Sequence, residues 1–162
     1  GMDISPAMLN QAVQRNMGST TGESTSYLLG DGLNLPFKDG CFDLVTGHSF
    51  LYLVPDRPKV LDEIFRVLSP GGALVLLEPH EHGNLVSSAL RGLRAWSPAE
   101  VSTLVILRFS LSMVGWRLAS RVAGRLREED VHALFSEAGF QGISSSLAFG
   151  GLGLLVAGKV PE

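Results

Sequence analysis

Three places in this 162-residue chain carry residues whose types and spacing could do chemistry. Asp3 stands just before Ser5, a good N-cap, and Pro6, well placed as the first residue of a helix. The preceding residues read as the end of a buried strand. A carboxylate at the C-terminal end of a parallel strand is placed to accept hydrogen bonds from both hydroxyls of a nucleoside ribose. Read alone, Asp3 serves equally as a favourable acidic charge at a helix N-terminus. Asp31 lies between Gly30 and Gly32, after the apolar run Tyr27-Leu28-Leu29. It is either a second ligand acceptor or a turn residue. The third place is the pair of strand ends at Thr46-Gly47-His48-Ser49 and Glu78-Pro79-His80-Glu81-His82. His48 could touch a ligand or make only local hydrogen bonds. His80, Glu81 or His82 could act as a base toward an acidic carbon or a hydroxyl. The His-x-His pair with its carboxylates could also hold a metal, or all of these could be solvated loop residues; no metal is assigned. Asp43 begins its strand, away from the ligand end, and reads as structural.

The elements that must position these residues are legible from periodicity. Apolar residues at Met8, Leu9, Ala12, Val13 and Met17 mark a helix from Pro6 that ends at Gly18. Tyr27–Leu29 and Phe42–Thr46 read as strands, the first of them short and buried. Val60, Leu61, Ile64, Phe65 and Leu68 put one apolar face on a helix over 58–68. Pro70-Gly71-Gly72 breaks that pattern, and Ala73–Leu77 is a continuous apolar strand of the kind buried on both faces. A helix over 127–138 is closed by Gly139, with Phe140 able to fold back on Leu134. Ile143–Phe149 and Leu154–Val160 make a hairpin around Gly150-Gly151-Leu152-Gly153. Strands alternating with helices predict an α/β fold: a Rossmann-like, mostly parallel sheet flanked by helices, with an antiparallel C-terminal hairpin at or near one edge.

Composition bounds the function classes. The length fits one domain with a real core. A net charge of −3 gives no general attraction to nucleic acid, and mean hydropathy is +0.23. The single cysteine, Cys41, permits no internal disulfide, which fits a reducing, cytoplasmic setting. Neither the basic region nor the apolar stretch of a signal peptide stands at the N-terminus. The apolar runs 101–107 and 109–116, split by Arg108, are far shorter than the roughly 20 residues that span a bilayer.

Four segments, in this order, resemble the class I S-adenosylmethionine-dependent methyltransferases, and in particular the subfamily that includes ubiquinone and menaquinone C-methyltransferases. They are Met2-Asp3-Ile4-Ser5-Pro6-Ala7-Met8-Leu9, Gly30-Asp31-Gly32-Leu33-Asn34-Leu35-Pro36-Phe37, Cys41-Phe42-Asp43-Leu44-Val45, and Glu63-Ile64-Phe65-Arg66-Val67-Leu68-Ser69-Pro70-Gly71-Gly72. The late helix ending in Ala138-Gly139-Phe140 is similar to the family's as well. The resemblance covers residues 2–79 and 126–160. It implies S-adenosylmethionine as cofactor: Asp3 on the ribose, Ile4 on the adenine face, Asp31 on the adenine amino group, backbone at Gly32 and Leu33 on the ring edge, and His48 near the methionine part. It implies a small-molecule acceptor methylated by direct displacement; the apolar insert, read as a lid, would suit a lipophilic one.

The family's first strand and its glycine-rich loop have no counterpart in this sequence. The expectation is therefore a truncated methyltransferase-like domain, inactive alone, with a gap in the sheet between Tyr27–Leu29 and Phe42–Thr46. A non-catalytic interaction or regulatory module of the same fold is the alternative, and a nicotinamide-dependent dehydrogenase fragment a weaker one. Residues 80–126 form a helical insert: seven of the 13 Lys and Arg fall between Arg91 and Arg127, against one acid, Glu100. A lid over the substrate or a subunit contact is favoured there over solvated helices, and both over a membrane surface. A homo-oligomer is expected, through the sheet edge or through the 85–122 helices with Trp96, Phe109, Met113 and Trp116 as anchors.

Overall fold

A computed structural model describes residues 1–16, 25–81, 111–112, 115, 118 and 125–162. The 85–122 insert with its four anchor residues, the Gly18 stop and His82 lie outside or largely outside the described residues. The elements are β1 (Met2–Asp3), α1 (Pro6–Asn16), β2 (Leu28–Leu29), β3 (Phe42–His48), α2 (Arg57–Val67), β4 (Leu68–Pro79), α3 (Glu128–Glu137), β5 (Gln141–Ala148) and β6 (Gly153–Lys159). Short 3₁₀ turns cover Leu51–Leu53 and Phe149–Gly151.

The strands make two sheets. β1 and β2 pair in parallel, Met2 opposite Leu28 and Asp3 opposite Leu29. The larger sheet has the order β3-β4-β6-β5. β3 and β4 are parallel from Leu44↔Ala73 to His48↔Leu77, as the sequence implies for Phe42–Thr46 and Ala73–Leu77. β6 is antiparallel to β4 and to β5, so the hairpin closes one side. The small sheet is thus parallel, and the larger one joins a parallel β3–β4 pair to the two antiparallel pairings of β6. No described strand pairs across from β1–β2 to β3, which is where the sequence places a gap.

β4 starts earlier than its apolar run suggests. Leu68 pairs with Phe42 ahead of a register shift, and the backbone of Gly71 and Gly72 bonds to Val160, so the ladder bridges the Pro70-Gly71-Gly72 break. Glycine is required at both positions: Gly71 has φ +75°, and a Cβ on Gly72 would lie 2.7 Å from the Ser69 carbonyl oxygen.

The core lies between one face of the larger sheet and the helices α2 and α3. Val60, Leu61 and Ile64 of α2 and Val131 and Phe135 of α3 meet Leu74 and Leu76 of β4 and Leu154 and Val156 of β6, all buried. Asp56 caps α2 by accepting from the Lys59 N–H at 3.1 Å, with Pro58 in the first turn. Gly139, at φ +93°, ends α3, and the Phe140 N–H reaches the Phe135 carbonyl at 3.0 Å. The Phe140 ring then packs edge-on to Phe65, 5.2 Å away, and tilted on Phe135, 5.3 Å away.

β2 corrects one expectation: it is exposed, not buried, with Leu28 at 40% and Leu29 at 56%. α1 also buries no residue, and Met8 and Val13 of its apolar stripe are open. Leu9 and Ala12 of the same stripe are half-buried where α1 packs on β1 and β2.

Candidate strand-end site

Asp3 and Asp31 come together through the β1–β2 pairing. The parallel register sets their strand ends side by side, and the Gly30 N–H donates to the Asp3 carbonyl at 3.1 Å. Each carboxylate also has a local task. Asp3 Oδ1 accepts from the Ser5 N–H at 2.7 Å, and Asp31 Oδ1 accepts from the Leu33 N–H at 3.0 Å. Both are turn-type bonds. A carboxylate offers about four acceptor positions, so one engaged oxygen apiece leaves acceptors for hydroxyl or amino donors. Ile4, 70% exposed, offers an open apolar surface beside Asp3. Acceptors paired with an apolar face are the chemistry that an adenosine group needs, and the residues fit it.

Gly32 and Leu33 are half-buried, and a Cβ on Gly32 would lie 3.0 Å from Val60. This segment is tied to α2 by a charge network. Glu63 Oε2 accepts from the Leu35 N–H at 2.8 Å and from Arg66 Nη2 at 2.8 Å. The Arg66 guanidinium also donates to the carbonyls of Leu35 and Phe37 and to Asp39 Oδ1. The hydrogen bond from Arg66 holds the Glu63 carboxyl below its usual value, against a smaller opposing effect of burial. Glu63 and Arg66 therefore act together as the bracket that fixes the loop after Asp31.

His48 is exposed at the end of β3, opposite Leu77 in the ladder. Beyond it the chain turns sharply. Ser49 has φ +53°, uncommon for a non-glycine residue, and its buried hydroxyl has no hydrogen-bond partner in the structure. The turn that follows is held by Glu78. Its Oε1 accepts from the N–H groups of Phe50 at 3.1 Å and Leu51 at 3.0 Å, and its Oε2 from Tyr52 at 3.3 Å. Glu78 is 1% exposed, and burial pushes its carboxyl above the usual range, with the three N–H bonds and the nearby Arg57 charge pulling it back. Burial, with Glu78 adding to it, raises the Tyr52 phenol too.

His80 and Glu81, both read as candidate bases, have partners. His80 Nδ1 lies 3.2 Å from the Gly151 carbonyl, and Glu81 Oε2 accepts from Arg127 Nε at 2.6 Å. These contacts fasten the end of β4 to the C-terminal hairpin and to the start of α3. Asp43 accepts from the Ser69 hydroxyl at 2.9 Å, at the opposite end of β3. Among the described residues, no three His, Cys, Asp or Glu gather as a metal-binding group. No described helix is long and apolar enough to cross a membrane.

Sequence reasoning missed Ser49 as a strained corner and Glu78 as its anchor. A glutamate closing a run of five apolar residues, Ala73 to Leu77, was the available signal for the second. An open groove of about 710 Å³ adjoins the same turn, lined by Tyr52, Arg57, Asp130, Leu134 and Glu137 among others; Asp3, Asp31, His48 and His80 do not line it.

Residues 1–76 match the family model described as "Methyltransferase domain". Demethylmenaquinone methyltransferase of Lactiplantibacillus plantarum is 42% identical over 78 residues, 48% of this chain and 33% of that protein. The chloroplastic 2-phytyl-1,4-beta-naphthoquinone methyltransferase of Arabidopsis thaliana is 30% identical over 160 residues, 97% of this chain and 60% of that protein. The chain thus spans about a third of the bacterial relative's length. A SAM-dependent methyltransferase from Thermotoga maritima superposes with TM-score 0.62 at 17% identity, covering 98% of this chain and 72% of the other. The cyclase SpnF superposes with TM-score 0.63 at 14% identity, over 99% of this chain and 65% of the other, so the fold alone does not fix a reaction. The fold is Rossmann-like, and the sequence resembles the class I S-adenosylmethionine-dependent methyltransferases of the quinone C-methyltransferase kind.

Proposed function

We propose that this chain serves S-adenosylmethionine-dependent methyl transfer to a small, quinone-like acceptor. It would supply the adenosine half of the cofactor site and the acceptor-side strand ends. One observation supports the reading: parallel pairing of β1 and β2 sets Asp3 opposite Leu29, two residues before Asp31, and each of the two carboxylates has one oxygen engaged locally. Asp3 would accept from the ribose hydroxyls, Asp31 from the adenine amino group, and Ile4 would cover the ring. When bound, the cofactor supplies a methyl group activated on a positively charged sulfur.

The protein's work is then alignment and removal of water. His48, exposed at its strand end, can touch either the methionine part or the acceptor. His80 and Glu81 brace the end of β4 with the bonds described above, and a base role for either must leave those bonds intact. The acceptor class rests on the demethylmenaquinone and phytyl-naphthoquinone relatives. A norajmaline N-methyltransferase relative, 38% identical over 89 residues, makes nitrogen the competing acceptor atom. The edge of β3, unpaired among the described strands, and the exposed Met8 and Val13 of α1 support self-association of the chain.

Calorimetry tests the cofactor reading. This chain should bind S-adenosylmethionine weakly or not at all, because it carries no glycine-rich loop to seat the methionine end. A version extended at its N-terminal side by the codons upstream in its gene should bind it, and should methylate a naphthoquinol. Micromolar binding by the chain alone would overturn the half-site reading. No binding by the extended version would overturn the methyltransferase reading in favour of a non-catalytic module.

A further inference from the structure

The corner after β3 breaks two local rules together. Ser49 sits at φ +53°, and its hydroxyl is buried without a partner. The backbone strain alone corresponds to about five-fold or more in a folding equilibrium constant, and persists only where surrounding contacts impose it.

The imposing contacts come from two sides. On one, the N–H groups of Phe50, Leu51 and Tyr52 converge on the Glu78 carboxylate, at 3.1, 3.0 and 3.3 Å. On the other, Arg57 Nε donates to the Leu51 carbonyl at 3.3 Å and Arg57 Nη2 to the Tyr52 carbonyl at 3.5 Å. The Glu78 carboxyl grips the donor end of a single 3₁₀ turn, and the Arg57 guanidinium grips its acceptor end. The anchor is rigid, because Glu78 follows directly on Leu77, the residue paired with His48. The Ser49 N–H, bonded to the Leu77 carbonyl at 2.8 Å, closes the loop between the two strands. A buried carboxylate is an expensive way to satisfy three N–H groups that water could satisfy at a surface. Its cost is explained if the turn must be held in one place.

We propose that Glu78, opposed by Arg57, is a positioning residue that forces Ser49 into the left-handed conformation and so fixes where His48 and Ser49 stand at the C-terminal ends of β3 and β4. The proposal rests on the methyltransferase reading only for what this corner faces. The clamp itself acts without a ligand.

A double-mutant cycle tests it on the whole chain. S49G removes the left-handed penalty, because glycine adopts positive φ without a Cβ clash. E78Q keeps the size of the side chain but sets an amide NH₂ against the Tyr52 N–H and removes the charge facing Arg57. In urea unfolding, S49G should favour the folded state at least about five-fold more in the wild-type background than in E78Q, because only an intact clamp imposes the strain that glycine relieves. In labelled protein, the Cα and Cβ shifts of Ser49 should move from left-handed values in wild type to right-handed or extended ones in E78Q. Should E78Q fail to fold, R57M opens the other side of the clamp and gives the same cycle. A coupling within two-fold, or Ser49 shifts unchanged in the variant that folds, overturns the proposal. Loss of cofactor binding in the extended protein would remove the methyltransferase reading and leave the measured coupling, and the clamp it reports, unaffected.

Discussion

Gly47 is the position where adding one methyl group tests the corner most directly. It lies one residue before the end of β3, and a Cβ built there would stand 2.5 Å from Phe50 Cε1, 2.7 Å from Phe50 Cδ1 and 2.8 Å from Leu76 Cδ2. Carbon atoms rest at about 3.5–4.0 Å, so the Phe50 ring must retreat by about 1 Å. Neither wall yields easily. Leu76 is fully buried in the sheet, and the Phe50 backbone is tethered to Glu78 Oε1 at 3.1 Å. Overpacking of this kind costs about 1–3 kcal/mol, and with both walls fixed we expect Gly47→Ala to cost about 2 kcal/mol. In a chain of 162 residues that lowers Tm by roughly 4–8 °C. Scanning calorimetry with urea unfolding measures both quantities. Gly71 is the control: it has φ +75° and nothing within 4 Å of a built Cβ. Gly71→Asn therefore meets only the left-handed backbone penalty, which asparagine bears better than other side chains, and should cost less than Gly47→Asn, which should cost at least as much as Gly47→Ala. A Gly47→Ala protein within about 0.5 kcal/mol of wild type, the ordinary scatter of surface substitutions, would refute the argument, because the corner would then be free to open.

In the extended protein, Asp3→Ala and Asp31→Ala should each weaken S-adenosylmethionine binding by about 1–3 kcal/mol, the cost of an unpaired polar group; unchanged affinity in calorimetry removes both from the site. The Glu78 carboxyl, facing Arg57 and Tyr52, has a folded pKa raised above its ordinary value of 4.5, so its contribution is fully present below that value and is lost as pH rises through the raised one. The stability of wild type relative to E78Q should therefore fall with rising pH across that window, and a rising difference in urea titrations would contradict it. Glu63 has the opposite sign: its pKa is lowered, so its contribution is present above 4.5 and lost as pH falls through the lowered value, and relative to Glu63→Gln wild type should weaken only on acidification. Light scattering should report at least twice the 17.3 kDa chain mass; a strict monomer at high micromolar concentration would show that the β3 edge and the α1 stripe need no second copy.

Patterns that local chemistry enforces could be read without coordinates. The apolar stripe Val60-Leu61-Ile64 makes α2 and faces it to the core, and Gly139 sets the end of α3, whereas the Asp56 cap that starts α2 was not read from the sequence. Alternation of strands and helices pointed to the parallel β3–β4 pair and the closing hairpin. Asp3 and Asp31 could be singled out because strand ends and glycine-flanked turns are local features. Tertiary structure alone decided what depends on partners distant in sequence. Leu28-Leu29 looks like core and is exposed, because burial of an apolar pair requires a neighbour that periodicity cannot supply. Glu78 looks like the first residue of a catalytic loop. It is instead a buried anchor, because the three N–H groups that claim it belong to residues 26 to 28 positions away. His80 and Glu81 look like free bases and are fastened to Gly151 and Arg127 across still longer separations, for the same reason. A residue's type states which bonds it can make; only the fold brings the groups that take them.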